Sequence, residues 1–190
     1  YDEWIEDIDN DGIKEVCNFE RKPMEVIFRI KGSNINFLVI LVATKSKGVF
    51  SINDIINHQY LALANRKKIL AQSKKIRSRV DQVMVEQPKL PLIVFGDFND
   101  EPGMDSYEKI LGASSIDTVM GSLFEPEKIL HNTMWHLNQS GRNKELWTTE
   151  YPDLIVQNFG LHKAWLDHIF ISQNLLTGSD KFKYVMNSGE

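Results

Sequence analysis

Between Asn36 and Gly103 the chain switches twice between two periodicities, and only a layered α/β unit accommodates both. Asn36-Phe-Leu-Val-Ile-Leu-Val-Ala43 is apolar almost throughout, the pattern of a strand covered on both faces. From about Tyr60 to Glu86 the spacing becomes helical. Ile69, Ser73, Ile76, Val80 and Val83 follow at intervals of four and three, while Lys67, Lys68, Lys74, Lys75, Arg77 and Arg79 fall on other faces. Pro88 and Pro91 bracket the exit. Leu92-Ile-Val-Phe95 is then a second apolar strand running directly into Gly96-Asp-Phe-Asn-Asp-Glu-Pro-Gly103. Strand, long helix, strand and polar loop in that order predict an α/β domain with its functional groups at a strand's carboxyl end.

The flanks add a hairpin, with strands over residues 26–30 and 36–43 joined by the turn Lys31-Gly-Ser-Asn34. Further strands are expected over residues 13–19, 165–171 and 181–186, with a short helix near residues 107–111. A length of 190 residues reads as a single domain, 1–190. Lys+Arg 22 against Asp+Glu 26 leaves a net charge of −4, which speaks against a passive binder of nucleic acid and marks the basic helix as a solvated face. An enzyme working on phosphate esters through a cation stays open, because acidic ligands lower the formal charge. One cysteine, Cys17, excludes an intrachain disulfide and a Cys-rich metal cluster. The longest apolar run, residues 37–43, is far below the ~18 residues that span a bilayer.

Asp97 and Asn99 are the strongest chemical signal. Two residues apart in extended geometry, they would leave the same face of the chain just after a buried strand. A carboxylate beside a carboxamide suits phosphoryl chemistry: the first orients or deprotonates water or holds a divalent cation, the second donates to a phosphate or metal-bound oxygen. The competing reading is an Asx-rich turn that caps the next helix. Asp7, Asp9, Asp11 and Gly12 imitate the start of an EF-hand loop. Asn18 stands at the twelfth position and a strand follows at once, so an acidic hairpin turn is favoured over a weak Ca²⁺ site. His58, His131, His136 and His162 show no ligand spacing, and Trp147 and Trp165 read as core or sheet-face aromatics.

Gly96-Asp-Phe-Asn99, behind a buried strand and a long helix, resembles the metal-dependent endonuclease/exonuclease/phosphatase (DNase I-like) superfamily. Arg21-Lys-Pro-Met24, Lys45-Ser-Lys47 and Leu166-Asp167-His168 fall where that family carries related elements. The resemblance implies a four-layer αββα sandwich, with the site in the cleft between two sheets. It also implies hydrolysis of a phosphate ester (nucleic acid, nucleotide or phospholipid head group) with Mg²⁺, or Mn²⁺ or Ca²⁺. Asp97 would activate the water and hold the metal, and Asn99 would hold the water or a phosphate oxygen. Asp167 would be the buried acid supporting a histidine, and Lys45 and Ser46 would line the cleft. Because strand neighbours face opposite ways, His168 would then be a packing residue.

The chain departs from the pattern at Ala43, where the family usually has a phosphate-contacting histidine. The family's metal-binding Glu and its terminal Ser-Asp-His element are expected outside residues 1–190. A catalytically impaired relative that binds a phosphorylated ligand or a protein partner is therefore the alternative reading.

Overall fold

The computed structural model describes residues 1–49, 55–135, 146–152, 161–178 and 182–185. Its centre is a five-stranded sheet of β3 (Met24–Arg29), β4 (Asn36–Ala43), β5 (Leu92–Asp97), β6 (Leu130–Asn132) and β9 (Asp167–Ser172), ordered β3-β4-β5-β9-β6. β4 and β5 run parallel and the other pairs antiparallel. A parallel pair needs a crossover, and α1 (Ile55–Glu86) provides it.

The helical spacing is borne out residue by residue: Ile69, Ser73, Ile76, Val80 and Val83 are all buried. α1 and the short α3 (Ser115–Met120) lie on one sheet face, where Leu38, Ile40, Val42, Leu92, Val94, Leu130 and Phe170 form the core with Ile76, Val80, Ile116 and Val119. α2 (Ser106–Leu111), which precedes α3 in the chain, is opened by an Asp105–Glu108 capping box. A separate hairpin, β1 (Trp4–Glu6) and β2 (Glu15–Cys17), contributes Ile8 and Cys17 to a second small cluster with Leu70 and Ala71 on α1. A ribbon of β7 (Thr149–Pro152) and β8 (Leu161–Ala164) precedes β9, and α4 (Gln173–Leu176) follows it.

Several expectations change in the structure. The helix begins at Ile55 rather than near Tyr60. β4 is covered on one face only: Leu38, Ile40 and Val42 are buried, while the alternate residues are half-buried. The second face of the sheet is open, with Met24 55%, Phe28 46%, Phe95 37% and Ile169 43% exposed. The α/β architecture is as expected. Of the four layers, the described residues supply one helix layer and one five-stranded sheet, together with two two-stranded pairs. Residues 182–185 form no strand, and 181 and 186 lie outside the described residues. That segment is instead tied back by Tyr184, whose N–H donates to Leu175 O and whose hydroxyl donates to Thr133 O.

The basic helix is not a free solvated face. Lys67 pairs with Asp9 and Glu15, Lys74 with Glu6 and Arg79 with Glu25, so these cations fasten β1, β2 and β3 to α1.

Candidate active site

Asp97 ends β5 on the open face, and the register sets it directly opposite two residues, Asp167 on β9 and Ala43 on β4. Opposed residues of antiparallel strands lie about 4.5–5.5 Å apart at Cα and share a face, so two carboxylates look at one another. Burial pushes the Asp97 carboxyl above its ordinary range and the Asp167 charge adds to the rise. The Asn99 backbone N–H, donating to Asp97 Oδ1 at 2.9 Å, works against it. Among the described residues neither carboxylate is in an ion pair within 4.0 Å. Arg21 lowers the Asp97 carboxyl from a distance without pairing with it, and like charges facing each other with no ion pair suit a cation. The donor set, hard carboxylate oxygens at the mouth of an open face, fits a divalent ion such as Mg²⁺.

The turn that presents Asp97 depends on Gly96. Its φ of +138° lies in glycine's region, and a Cβ there would collide with the Val42 carbonyl. The next turn corrects the extended-chain argument for Asn99. That residue is left-handed, φ +50°, so it does not simply share a strand face with Asp97. Asparagine tolerates this conformation better than most residues. Its Nδ2 donates to Thr44 O at 3.1 Å. Asn99 thus reaches Asp97 by its backbone N–H and by its side-chain amide, which also ties the loop to β4's exit.

Asp167 is exposed rather than buried, because it is the first residue of β9 and its side chain is on the uncovered face. Its backbone is firmly held: the Asp167 N–H donates to Thr148 Oγ1 at 3.0 Å and its carbonyl accepts from Trp165 Nε1 at 2.9 Å. Lys45 and Ser46 follow Ala43 but point their polar groups elsewhere. The Lys45 ammonium lies 3.4 Å from Glu20, and the Ser46 hydroxyl accepts from the Gly48 N–H. The structure brings together Asp97, Asn99 and Asp167, and gives Lys45 and Ser46 no hydrogen bond or ion pair with them.

Sequence reasoning missed the charges beneath the loop. Lys47 ion-pairs with the fully buried Asp100 and lies 3.5 Å from Glu108, itself buried. Burial raises the Asp100 carboxyl and Glu108 adds to this, with Lys47 opposing. Burial alone would lower the Lys47 ammonium, but Asp100, Glu108 and Asp105 outweigh it and raise it. The legible signal was the Asp105-Ser-Tyr-Glu108 capping box, which marks Glu108 as turned back toward the loop.

His168 is a packing residue, as the strand alternation requires. It is 1% exposed, stacked on Trp165 at 4.9 Å and Phe170 at 5.5 Å. Since Asp100 O only accepts, the histidine Nε2 carries the proton and donates to it at 2.9 Å, leaving Nδ1 to accept from Asn132 Nδ2 at 3.0 Å. Burial lowers its pKa from 6.5 to about 4. The unfolded state therefore binds the proton first. The stability tied to neutral His168 is complete above about pH 6.5 and is lost as pH falls toward 4. We expect urea unfolding at pH 5 to show a contribution from this group about 2 kcal/mol smaller than at pH 7. His168→Phe should remove that part of the slope; an unchanged slope contradicts the assignment.

The remaining candidates are peripheral. Asp7, Asp9 and Asp11 gather carboxylate oxygens within 4.8 Å of one another in the β1–β2 turn, and the Lys67 ammonium sits among them, 2.7 Å from Asp9 and 3.9 Å from Asp11. Trp165 is buried as expected, but Trp147 is 43% exposed, with Lys163 over its ring at 4.8 Å. His136 lies outside the described residues.

The sequence pattern of the Endonuclease/Exonuclease/phosphatase family matches residues 39–190, which contain most of β4 and all of α1, β5, the Asp97 loop and β9. The chain belongs to this family. Among solved structures, the catalytic domain of human Nocturnin, crystallised with a sulfate anion, is similar at 18% identity and a TM-score of 0.42, with 80% of this chain and 42% of that one covered. An endonuclease/exonuclease/phosphatase family protein from Bacteroides thetaiotaomicron is similar at 17% identity and a TM-score of 0.37, covering 79% and 40%. The chain thus spans about two fifths of the length of these structures. No curated protein matches it. Family membership makes this a chain of the phosphoesterase and nuclease hydrolase superfamily. It also gives the open face a context, because the Asp97–Asp167 pair stands within the matched region.

Proposed function

We propose that the protein is a divalent-metal-dependent phosphoesterase acting through Asp97 at the open end of β5. The observation that carries this reading is the pair of carboxylates, Asp97 and Asp167, opposed in register within the family match and held in no ion pair among the described residues. A cation held by Asp97 would neutralise the pair and polarise a phosphoryl oxygen. Asp97 also orients a water and takes its proton. Asn99 holds the Asp97 carboxylate in place with its N–H and its side-chain amide, and the Nδ2 hydrogen not given to Thr44 would turn to a phosphate oxygen of the substrate. Lys45, between Ala43 and Lys47 at the exit of β4, would meet substrate phosphate once released from Glu20, with Ser46 beside it.

The substrate is a phosphate ester: nucleic acid, a nucleotide or a phospholipid head group. Among the described residues no helix is long and apolar enough to cross a membrane. Residues 1–190 are proposed as a single domain unit, with the open sheet face receiving the second sheet of the sandwich.

One observation favours a second reading. Ala43 is paired in register with Asp97, so a methyl group stands where the resemblance expects a phosphate-contacting histidine. A chain lacking that contact would bind phosphorylated ligands without turning them over.

Titrating the intact protein with Mg²⁺ or Mn²⁺ against bis(p-nitrophenyl) phosphate separates the two. Hydrolysis that rises with metal and disappears with EDTA is expected. Absence of hydrolysis at every metal concentration would favour the binder, and EDTA-resistant hydrolysis would contradict the metal role.

A further inference from the structure

The Asp97–Asn99 loop rests on a buried cluster of charges that the open-face chemistry does not use. Asp100 has no exposed surface, and Lys47, reaching under the loop from the segment after β4, ion-pairs with its Oδ1. The same ammonium lies 3.3 Å from Asp105 Oδ2 and 3.5 Å from Glu108 Oε2. Arg66 on α1 holds Asp105 at 2.9 Å and donates to the Lys47 carbonyl at 3.1 Å. Three carboxylates thus share two cations, and Asp100 Oδ2 is buried without a hydrogen-bond partner.

Such a cluster is a poor way to gain stability. Removing ions from water costs more than imperfect pairing returns, and apolar replacements of buried pairs are often neutral or better. Its value is in what it touches. Asp100 Oδ1 also accepts from the Glu101 N–H, and the Asp100 carbonyl accepts from His168 Nε2. One residue earlier, Asn99 carries both the N–H on Asp97 Oδ1 and the side-chain bond to Thr44 O. Thr44 closes the loop from the other side, its N–H on Asp97 O and its hydroxyl on Phe98 O. Asn99 is held left-handed, a conformation that persists where the surroundings over-determine it.

We infer that Lys47 is a positioning residue: paired with Asp100, it clamps the exit of β4 to the loop and fixes the pose in which the Asn99 N–H holds the Asp97 carboxylate. The inference rests on the proposed phosphoesterase reading for its turnover readout, whereas the loop pose is read without any activity.

Two variants of the intact protein test it. Lys47→Met leaves the buried carboxylates uncompensated, so the charge-matched Lys47→Met/Asp100→Asn is made beside it. In whichever variant folds, amide hydrogen exchange at Phe98 and Asn99 should rise about tenfold or more, while exchange at core positions such as Ile40 and Val94 stays native. Turnover of bis(p-nitrophenyl) phosphate with Mg²⁺ should fall about tenfold or more with KM nearly unchanged, because misplacing a reacting group costs rate rather than binding. A pair that merely stabilises would lower the melting temperature and leave both loop exchange and kcat as they were, which overturns the inference. So would failure of both variants to fold, since the pair would then serve the whole fold. If the unaltered protein shows no metal-dependent hydrolysis, the phosphoesterase reading fails, and the exchange measurement still decides the role of Lys47.

Discussion

Asp97→Ala is expected to abolish metal-dependent turnover by about three orders of magnitude or more while leaving the fold as stable as before, or slightly more so. The two halves of this result have one cause. In the folded chain Asp97 faces Asp167 across the β5–β9 ladder, with no ion pair to either among the described residues, and burial has raised its carboxyl. A raised carboxyl is bound more tightly to its proton when folded than when unfolded. Its ionised form therefore costs stability, and that cost appears as pH rises from the unfolded value through the folded one. Removing the side chain relieves the cost at neutral pH. The same deletion removes the group that takes the proton from water. Kinetics on bis(p-nitrophenyl) phosphate beside urea unfolding at pH 7 reads both halves at once. Near-normal turnover would contradict the role of Asp97, and a large loss of stability would show that the carboxylate is structural.

The second large effect is expected at Gly96, through stability rather than chemistry. Gly96→Ala puts a methyl group into the Val42 carbonyl near the carboxyl end of the parallel β4–β5 pairing, at a φ of +138° that alanine rarely adopts. The dihedral strain costs about 1–3 kcal/mol. Separating two core strands adds to it, for a total loss of about 3–5 kcal/mol against a whole-domain stability of about 5–15 kcal/mol. Urea midpoints of the two proteins measure it. A loss under about 1 kcal/mol would mean that the strand pairing adapts and that glycine is not required there.

The parts of the fold that were legible are those where one pattern dominates a long stretch. Ile69, Ser73, Ile76, Val80 and Val83 report a helix because all four spacings point to one face, and the β3–β4 hairpin is announced by a glycine turn between apolar runs. The open face of the sheet was illegible, because Val39, Leu41 and Phe95 are as apolar as the residues on the covered face. Composition along a strand records what a face could bury, not whether a layer lies on it. At the site, Asp97 is legible from its place at the end of an apolar strand and Asp167 from the family resemblance, and register brings them face to face. Asn99 was misjudged in geometry because one left-handed residue rotates everything after it, and nothing in Asp-Phe-Asn fixes that dihedral. Lys47 has no role legible in the sequence beyond its place in Lys45-Ser-Lys47: its partner Asp100 is buried by the loop closing on α2, a contact between residues 53 positions apart. Periodicity carries no information about such pairs.

The most direct test is Mn²⁺ binding to the intact protein, followed by electron paramagnetic resonance, for the unaltered chain, for Asp97→Asn and for Asp167→Asn. A cation site between the opposed carboxylates predicts that Asp97→Asn weakens binding by about tenfold or more, since it replaces a charged oxygen ligand with a neutral one. Asp167→Asn should weaken it by a smaller factor through the lost charge. Equal Mn²⁺ affinity in all three proteins would contradict the account.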